Sequence, residues 1–201
     1  MNINEYQNYH ETKAHTSAEF PYNTYLCSIP LDFPGVPLHW HDELELVVIK
    51  RGQGFVSVDF DKRLVHSGDI IIIPPRCLHA IEQDDTFKME YENIIFKPDL
   101  LSSGANDLCM IQYIVPLLDG SLPIEYFLTP ALGSFEALSN CIRQIDLVCA
   151  DQTPGWQLAV KSSLFNFFFL LISERQKKTV STSSNSKSLE KMKTVLKYVE
   201  N

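Results

Sequence analysis

One short stretch of the chain, HWHDELELVVIKRG (residues 39–52), gathers side chains that bind metals and carry protons. It contains His39, His41 and Glu45, and His79 follows later in IIIIPPRCLH. Three imidazoles and one carboxylate, with positions left open for water or substrate, suit Zn, Ni, Fe, Mn or Cu. The same side chains also suit hydrogen bonds to a small polar ligand. The residue types therefore predict a binding site for a metal or for an organic ligand.

Geometry sets a condition on this site. In a straight β-strand the chain rises ~3.3 Å per residue, so Glu45 would lie ~13 Å from His41. An ion with ligand bonds of about 2.0–2.2 Å cannot span that distance. A shared site therefore requires the chain to break or bulge near Asp42 and Glu43. Two adjacent acids ahead of an apolar run favour such a break.

The elements that must position these residues are short and β-rich. Strand-like runs lie between residues 24 and 96; they are TYLCSI, LELVVIK, GFVSVDF, RLVH, IIIIPP and FKMEYENIIF. The segment DFPGVP, rich in Pro and Gly, predicts a loop. LELVVIK is expected to end at Arg51 and Gly52, where the turn residue stands. Several short strands at this spacing predict an all-β sandwich or a small barrel.

Helical patterns replace the strands after Pro98. The segment SFEALSNCIRQIDLVC repeats apolar residues at helical intervals, and GWQLAVKSSLFNFFFLLISERQ is apolar around most of its circumference. A helix of the second kind is buried on more than one side, either beneath the barrel or against a partner chain. Next, KKTVSTSSNSKS predicts a flexible linker. The final SLEKMKTVLKYVEN predicts an amphipathic helix with nothing after it to pack on.

Composition narrows the function classes. The formal net charge of -8 argues against a nucleic-acid surface on this chain. No apolar run reaches the ~18 residues that would predict a membrane span. The N-terminus is polar and lacks the apolar segment of a secretion signal. Five scattered cysteines without a CxxC pair predict free thiols and a cytoplasmic protein.

Two motifs carry a family resemblance. The matching positions of the patterns His-x-His-x3-Glu-x6-Gly and Gly-x5-Pro-x4-His are His39, His41, Glu45, Gly52, Gly68, Pro74 and His79. These patterns resemble the two motifs of the cupin superfamily, a small antiparallel β-barrel whose mouth can hold a metal. The chain departs from the motifs at Phe33, Arg76 and Gln83, where Gly, Gly and Asn are usual.

A narrower resemblance covers nearly the whole chain. The segments HWHDELELVVIKRGQG, GDIIIIPPRCLHAI and YENIIFKPDLL, followed by two long helices, resemble the sensor half of AraC-family transcription regulators. In that family a cupin-like domain binds a small effector and helps to form a dimer, and a C-terminal domain carries two helix-turn-helix motifs. LEKMKTVLKYVEN resembles the opening helix of that DNA-binding domain. We therefore expect the DNA-reading residues to lie beyond this chain.

The resemblance implies a mainly β fold with added helices. It consists of a cupin-like antiparallel barrel of jelly-roll type and a helical subdomain of two to three helices. The expected divisions are an N-terminal arm over residues 1–20, a barrel sensor domain over 21–98, a helical subdomain forming a homodimer over 99–178, a linker over 179–188 and the start of a truncated helix-turn-helix domain over 189–201.

The resemblance also assigns roles. The expected effector-binding residues, for a ligand such as a sugar or another polar metabolite, are His39, His41, Glu45, His79, Trp40 and Tyr91. The three histidines and the glutamate are also the candidate metal ligands. In the alternative they bind the ligand, or one another, without metal. Aromatic side chains on barrel strands belong more often to the core, and this is the alternative for Trp40 and Tyr91.

A regulator without catalytic residues is the favoured function. The alternative is a metal-dependent cupin enzyme of the dioxygenase or isomerase type, for which the complete set of three histidines and one glutamate speaks. DNA is expected to be contacted only through the missing C-terminal part, and no membrane is expected as a partner. His10 and His15, both in the arm, are expected to be solvated.

Overall fold

The predicted fold class is confirmed by a computed structural model, which describes residues 3–105 and 107–177. The strands are β1 Tyr22–Ile29, β2 Gly35–His39, β3 Leu44–Val58, β4 Asp61–His66, β5 Ile70–Ile73, β6 His79–Gln83, β7 Met89–Phe96 and β8 Phe127–Leu128. The α-helices are α1 Ile3–Gln7, α2 Val115–Leu118, α3 Phe135–Asp151 and α4 Trp156–Lys177. A 3-10 turn, Pro98–Leu101, and a π-helical turn, Met110–Ile114, precede α2. The expected linker and helix-turn-helix start lie outside the described residues.

The long strand β3 joins the two faces of the barrel. Its first half, residues 44–49, pairs antiparallel with β5 and β7, and its second half, residues 53–58, pairs with β4 and β6. The register with β7 shifts by one residue around Lys50, which is a β-bulge. The prediction that the strand ends at Arg51 and Gly52 was therefore wrong: the chain bends there and continues as one strand.

Gly52 makes the bend sterically feasible. Its φ of +78° lies in the left-handed region that favours glycine, and a Cβ at this position would stand 1.8 Å from the carbonyl oxygen of Lys88. Because β3 bends here, residues on both sides of the bulge point to the same interior. Val47 and Val56 accordingly belong to one buried cluster.

Three strands, β2, β6 and β8, were missed from the sequence. β2 begins inside the segment predicted as a loop, and it pairs antiparallel with β6, which in turn pairs with the second half of β3. β8 interrupts the segment expected to be helical and extends the sheet beside β5, with Ile70 opposite Leu128. These strands are short, and each depends on a partner distant in sequence, so local pattern alone does not specify them.

Two apolar cores lie on opposite sides of the β3–β5–β7 sheet. The inner core fills the barrel and includes Val47, Ile49, Ile71, Met89 and Tyr91. The outer core lies between the sheet and the helices, where Leu46, Ile72, Ile94, Phe167 and Phe168 meet. This alternation of strand residues between the two cores follows the period of two in a strand.

The helix α4 is the one helix in the described part of the chain whose length and apolar composition, over Trp156–Glu174, would permit a membrane crossing. Leu164, Phe167 and Leu171 are buried in the outer core. Burial of these side chains is typical of a helix that packs on the core of its own domain. Leu158, Phe165 and Phe169 of the same helix are exposed.

Candidate functional site at the barrel mouth

The break that the site requires is present. β2 ends at His39 and β3 begins at Leu44, and the residues between them lie outside both strands. The chain therefore turns back enough for the His41 Nε2 to lie 3.0 Å from the Glu45 Oε2. Both side chains are buried.

His79 comes to the same place from the other motif. It begins β6, where it pairs with His39 of β2 and with Val58 of β3. Its ring centroid lies 4.0 Å from that of His39 and 4.9 Å from that of His41. One ligand nitrogen from each of these three histidines lies within 4.8 Å of the others. Two stretches far apart in sequence thus form one imidazole cluster.

Glu45 completes the cluster on one side. Its Oε2, besides contacting His41, stands 3.4 Å from the Nε2 of His79. Burial alone would raise the pKa of Glu45, but its hydrogen bond with His41 and the neighbouring imidazole of His79 outweigh that effect and hold the pKa well below the usual range. Glu45 is therefore a buried carboxylate anion.

The ring orientations of His39 and His79 are fixed by backbone carbonyls. The Nδ1 of His39 donates to the Pro37 carbonyl at 2.9 Å, and the Nδ1 of His79 donates to the Cys77 carbonyl at 2.8 Å. A carbonyl oxygen only accepts, so each Nδ1 carries a hydrogen, and in the neutral tautomer with that hydrogen the Nε2 has a lone pair. Histidines that bind metals are oriented in this way by their second nitrogen.

The pKa values of His39 and His41 are shifted in opposite directions. Burial, aided by His79, lowers the pKa of His39 to about 4, so this ring is neutral. Burial also disfavours the cation of His41, but its hydrogen bond with Glu45 outweighs that effect and raises its pKa. The centre therefore contains acceptors in excess: a carboxylate and two imidazole lone pairs. Such a centre suits a cation or a ligand rich in hydrogen-bond donors.

Tyr91 lies deeper in the barrel. It stands opposite Ile49 of β3 and Cys27 of β1, on the inner face of β7. Burial raises the pKa of its phenol, with further contributions from Cys27 and Glu45, so the hydroxyl remains protonated. Tyr91 thus offers a buried polar hydroxyl on the Glu45 side of the interior.

Trp40 departs from the expected set. Its indole stacks on Tyr6 and His10 at centroid distances of 4.9 and 4.1 Å, and its Nε1 donates to the Tyr6 carbonyl at 2.8 Å. It therefore packs against the N-terminal arm, on the side away from the imidazoles. Trp40 directly follows β2 and forms a β-bridge with His10, so its backbone is still extended. Successive side chains of an extended chain point to opposite sides, so Trp40 points away from the side that His39 and His41 face.

Two arm residues that the sequence did not assign to the site, Glu11 and His15, lie beside the cluster. The Glu11 Oε2 stands 2.9 Å from the His15 Nε2 and 3.5 Å from the His39 Nε2. The ring of His15 lies 5.7 Å from that of His41, and its side chain is only 10% exposed. The prediction that His15 is solvated was wrong. His10 stays exposed, although its ring covers Trp40. No periodic pattern in the arm signals these contacts.

The fold and the centre define an antiparallel β-barrel with an inward-facing cluster of imidazoles and a carboxylate. Residues 25–168 match the model of the AraC-like ligand binding domain. The chain belongs to that family.

Two relatives from Bacillus subtilis (strain 168) are named as HTH-type transcriptional regulators. Uncharacterized HTH-type transcriptional regulator YdeC is 32% identical over 159 residues, which are 79% of this chain and 54% of that protein. Uncharacterized HTH-type transcriptional regulator YbfI is 26% identical over 72 residues, 36% of this chain and 26% of that protein. The chain thus spans about half the length of the first relative and about a quarter of the second.

Solved structures with partial similarity include a cupin protein from Bacteroides fragilis, with 22% identity, a TM-score of 0.35, and coverage of 46% of this chain and 75% of that chain. A predicted oxalate decarboxylase from Thermotoga maritima has 25% identity, a TM-score of 0.34, and coverage of 37% of this chain and 64% of that chain. At TM-scores of this size, nothing about activity follows from either match.

Proposed function

We propose that this chain is the effector-sensing and dimerisation part of a cytoplasmic DNA-binding transcription regulator, and that the effector binds at the barrel mouth. The observation that carries the proposal is the cluster of His39, His41, Glu45 and His79, of which all but His39 are buried, inside a domain of the AraC-like ligand-binding family. Tyr91 extends the polar surface inward.

The electrostatics of the centre favour one class of ligand. Glu45 is an anion, and the Nε2 atoms of His39 and His79 carry lone pairs. An effector with several donors, such as a polyol or an amine, satisfies these acceptors, whereas an anionic effector meets a carboxylate in a buried place. A sugar or a similar polar metabolite fits this donor-rich description.

A divalent metal also fits the residues. The three imidazoles are close enough to share one ion, and two of them have the carbonyl-held Nδ1 of a metal-binding histidine. When bound, an ion such as Zn, Ni, Fe or Mn would supply a positive charge and open positions for ligand oxygens. His39, His41 and His79 would hold it, with Glu45 beside them.

We assign any such ion to recognition instead of catalysis. The two relatives described above carry the names of transcriptional regulators. The enzyme alternative rests on the donor set alone, and that set serves recognition equally well.

Ligand binding at this centre has a physical route to the helices. Tyr91 faces the barrel interior, and its neighbour Glu92 faces outward to Lys50, which also contacts Asp146 of α3. A ligand acts on the output only through different affinities for two arrangements of the protein. We infer that the arm and the α3–α4 pair are the parts that differ between those arrangements.

We infer that a second copy of the chain packs on α4. Leu158, Phe165 and Phe169 are exposed and spaced by seven and four residues, so they lie along one helix face. An exposed apolar stripe of this kind is typical of a helix that pairs with another. This accounts for the apolar character of α4 on the side away from the outer core.

The test is a reporter assay with a chimera. Residues 1–187 are fused to a DNA-binding domain of known operator, and promoter output is measured with panels of sugars, amines and divalent metals. We expect at least one compound to change output, and His79→Gln to abolish the response while operator binding without ligand stays intact.

His66→Gln is the matched control, because His66 is an exposed histidine on β4 outside the barrel mouth. It should respond like the wild type. A chimera whose response survives His79→Gln, or is lost equally in His66→Gln, would contradict the proposed site.

A further inference from the structure

We propose that Glu11 and His15 of the N-terminal arm are part of the same binding centre, so that a divalent cation is held jointly by the arm and the barrel. The proposal rests on the proposed binding site and adds two residues that the barrel motifs do not contain. It also makes the position of the arm depend on whether the cation is bound.

The arm is placed by backbone pairing with the residue between the two inward histidines. His10 forms a parallel bridge with Trp40, the Glu11 N–H donates to the Trp40 carbonyl at 2.9 Å, and the Trp40 N–H donates to the Tyr9 carbonyl at 2.9 Å. This register brings Glu11 level with the inward-facing end of β2. The Glu11 carboxylate therefore reaches His39.

A second anchor holds His15. Its carbonyl oxygen accepts from the Asn23 Nδ2 at 2.9 Å and from the Tyr25 hydroxyl at 3.2 Å, both on β1. The arm is thus tied to the barrel on both sides of the Glu11–His15 pair. The Glu11 carboxylate, held by His15, has the orientation that supporting residues give to metal-binding carboxylates.

The argument for a cation is a repeated pairing of acceptors. The His39 Nε2, with a lone pair, faces the Glu11 Oε2 at 3.5 Å. The buried His79 Nε2, which has no hydrogen-bond partner, lies 3.4 Å from the Glu45 Oε2. In the tautomer that donates from Nδ1, neither Nε2 has a hydrogen to place between the paired atoms. A positive charge between the two pairs would satisfy these acceptors together.

The arm also changes the charge of the centre. Within the barrel, the carboxylates of Glu43 and Glu45 lie beside His41. Glu11 adds a further carboxylate from the arm, whose Oε2 lies 2.9 Å from the His15 Nε2 and 3.5 Å from the His39 Nε2. Without the arm, the centre loses this carboxylate.

The experiment uses Co²⁺ as the probe, because its visible absorption reports the ligands directly. The wild-type chain, Glu11→Gln, His15→Gln and the control Glu19→Gln are titrated with Co²⁺ at neutral pH. Glu19 is an exposed acid of the same arm. We expect affinity to fall about 10–100-fold in Glu11→Gln and His15→Gln, as for supporting residues of metal sites, and to be unchanged in Glu19→Gln. The absorption bands of Glu11→Gln should also differ from those of the wild type.

Arm position is read by limited trypsin digestion. Lys13 is exposed and lies between Glu11 and His15. Co²⁺ should slow cleavage after Lys13 in the wild type and in Glu19→Gln, and it should not do so in Glu11→Gln. Circular dichroism confirms that each variant is folded before either measurement.

Three outcomes separate this inference from the proposed function. Tight Co²⁺ binding that depends on Glu11 and protects Lys13 supports the inference. Co²⁺ binding that is identical in Glu11→Gln overturns the role of the arm and leaves the barrel site in place. An absence of Co²⁺ binding in the wild type overturns the inference, while the reporter assay decides the proposed function independently.

Discussion

Lys50 joins the barrel to the helical unit, and its removal should lower stability measurably. Its Nζ lies 2.5 Å from the Glu92 Oε2 and 3.3 Å from the Asp146 Oδ2 of α3. The Glu92 side chain is 8% exposed. Besides its ion pair with Lys50, it accepts a hydrogen bond from the Thr24 hydroxyl at 2.9 Å. The substitution Lys50→Met would leave a buried carboxylate without its counter-charge.

The magnitude follows from the exposure of the partners. Breaking a fully buried ion pair costs about 3–5 kcal/mol. The Lys50 and Asp146 side chains are 35% and 36% exposed, so solvent screening reduces the effect. We expect Lys50→Met to lower the free energy of unfolding by about 2 kcal/mol, which corresponds to about 4–8 °C in Tm for a domain of this size.

The assay is urea unfolding at pH 7, with Arg51→Met as control. Arg51 neighbours Lys50, but its side chain is 80% exposed and its pair with Glu90 spans 3.7 Å, so its loss should change stability by less than about 0.5 kcal/mol. Lys50→Met with Glu92→Met should recover most of the lost stability, since it leaves no buried charge. If Lys50→Met and Arg51→Met have the same free energy of unfolding, the ion pairs of Lys50 with Glu92 and Asp146 do not stabilise the contact between the barrel and the helices.

Three further predictions concern the site, the bend and the helix face. In metal-free protein, folding lowers the pKa of His39 from 6.5 to about 4, so between these pH values only the unfolded chain takes up a proton at this residue. The wild type should therefore lose about 2–3 kcal/mol more stability than His39→Gln when the pH falls from 6.5 to 4. Urea unfolding that gives the same loss of stability for both proteins would contradict this. Gly52→Ala should lower the free energy of unfolding by about 4 kcal/mol or more, because the new Cβ would overlap a backbone oxygen and the φ of +78° disfavours alanine. In the control Gly133→Ala the new Cβ meets no atom within 4 Å, so thermal unfolding should show a change of less than about 0.5 kcal/mol. Phe165→Ser should shift the mass measured by light scattering from dimer to monomer, while Leu26→Ser, 78% exposed on β1, should not; equal masses for Phe165→Ser and the wild type would argue against dimerisation through α4.

The barrel and its imidazole cluster were accessible from sequence for a physical reason. The motif residues His39, His41, Glu45 and His79 lie at or close to strand ends, and the required break between His41 and Glu45 is present. The apolar runs of β3, β5 and β7 are strongly periodic or continuous, so their burial was predictable from pattern.

What the sequence did not reveal depends on contacts between distant segments. The bulge at Lys50 is set by the register with β7, and the place of Glu11 is set by the pairing of His10 with Trp40. Neither contact leaves a local period. The outward placement of Trp40 was available from strand alternation alone, because its neighbours on both sides were already assigned to the interior.

The most direct test of the central claim is native mass spectrometry of the chain after incubation with divalent metals and a metabolite extract. The account predicts a stoichiometric adduct on the wild type and on His66→Gln that is absent from His79→Gln. An adduct of equal abundance on His79→Gln, or none on the wild type, would contradict a ligand site at the barrel mouth.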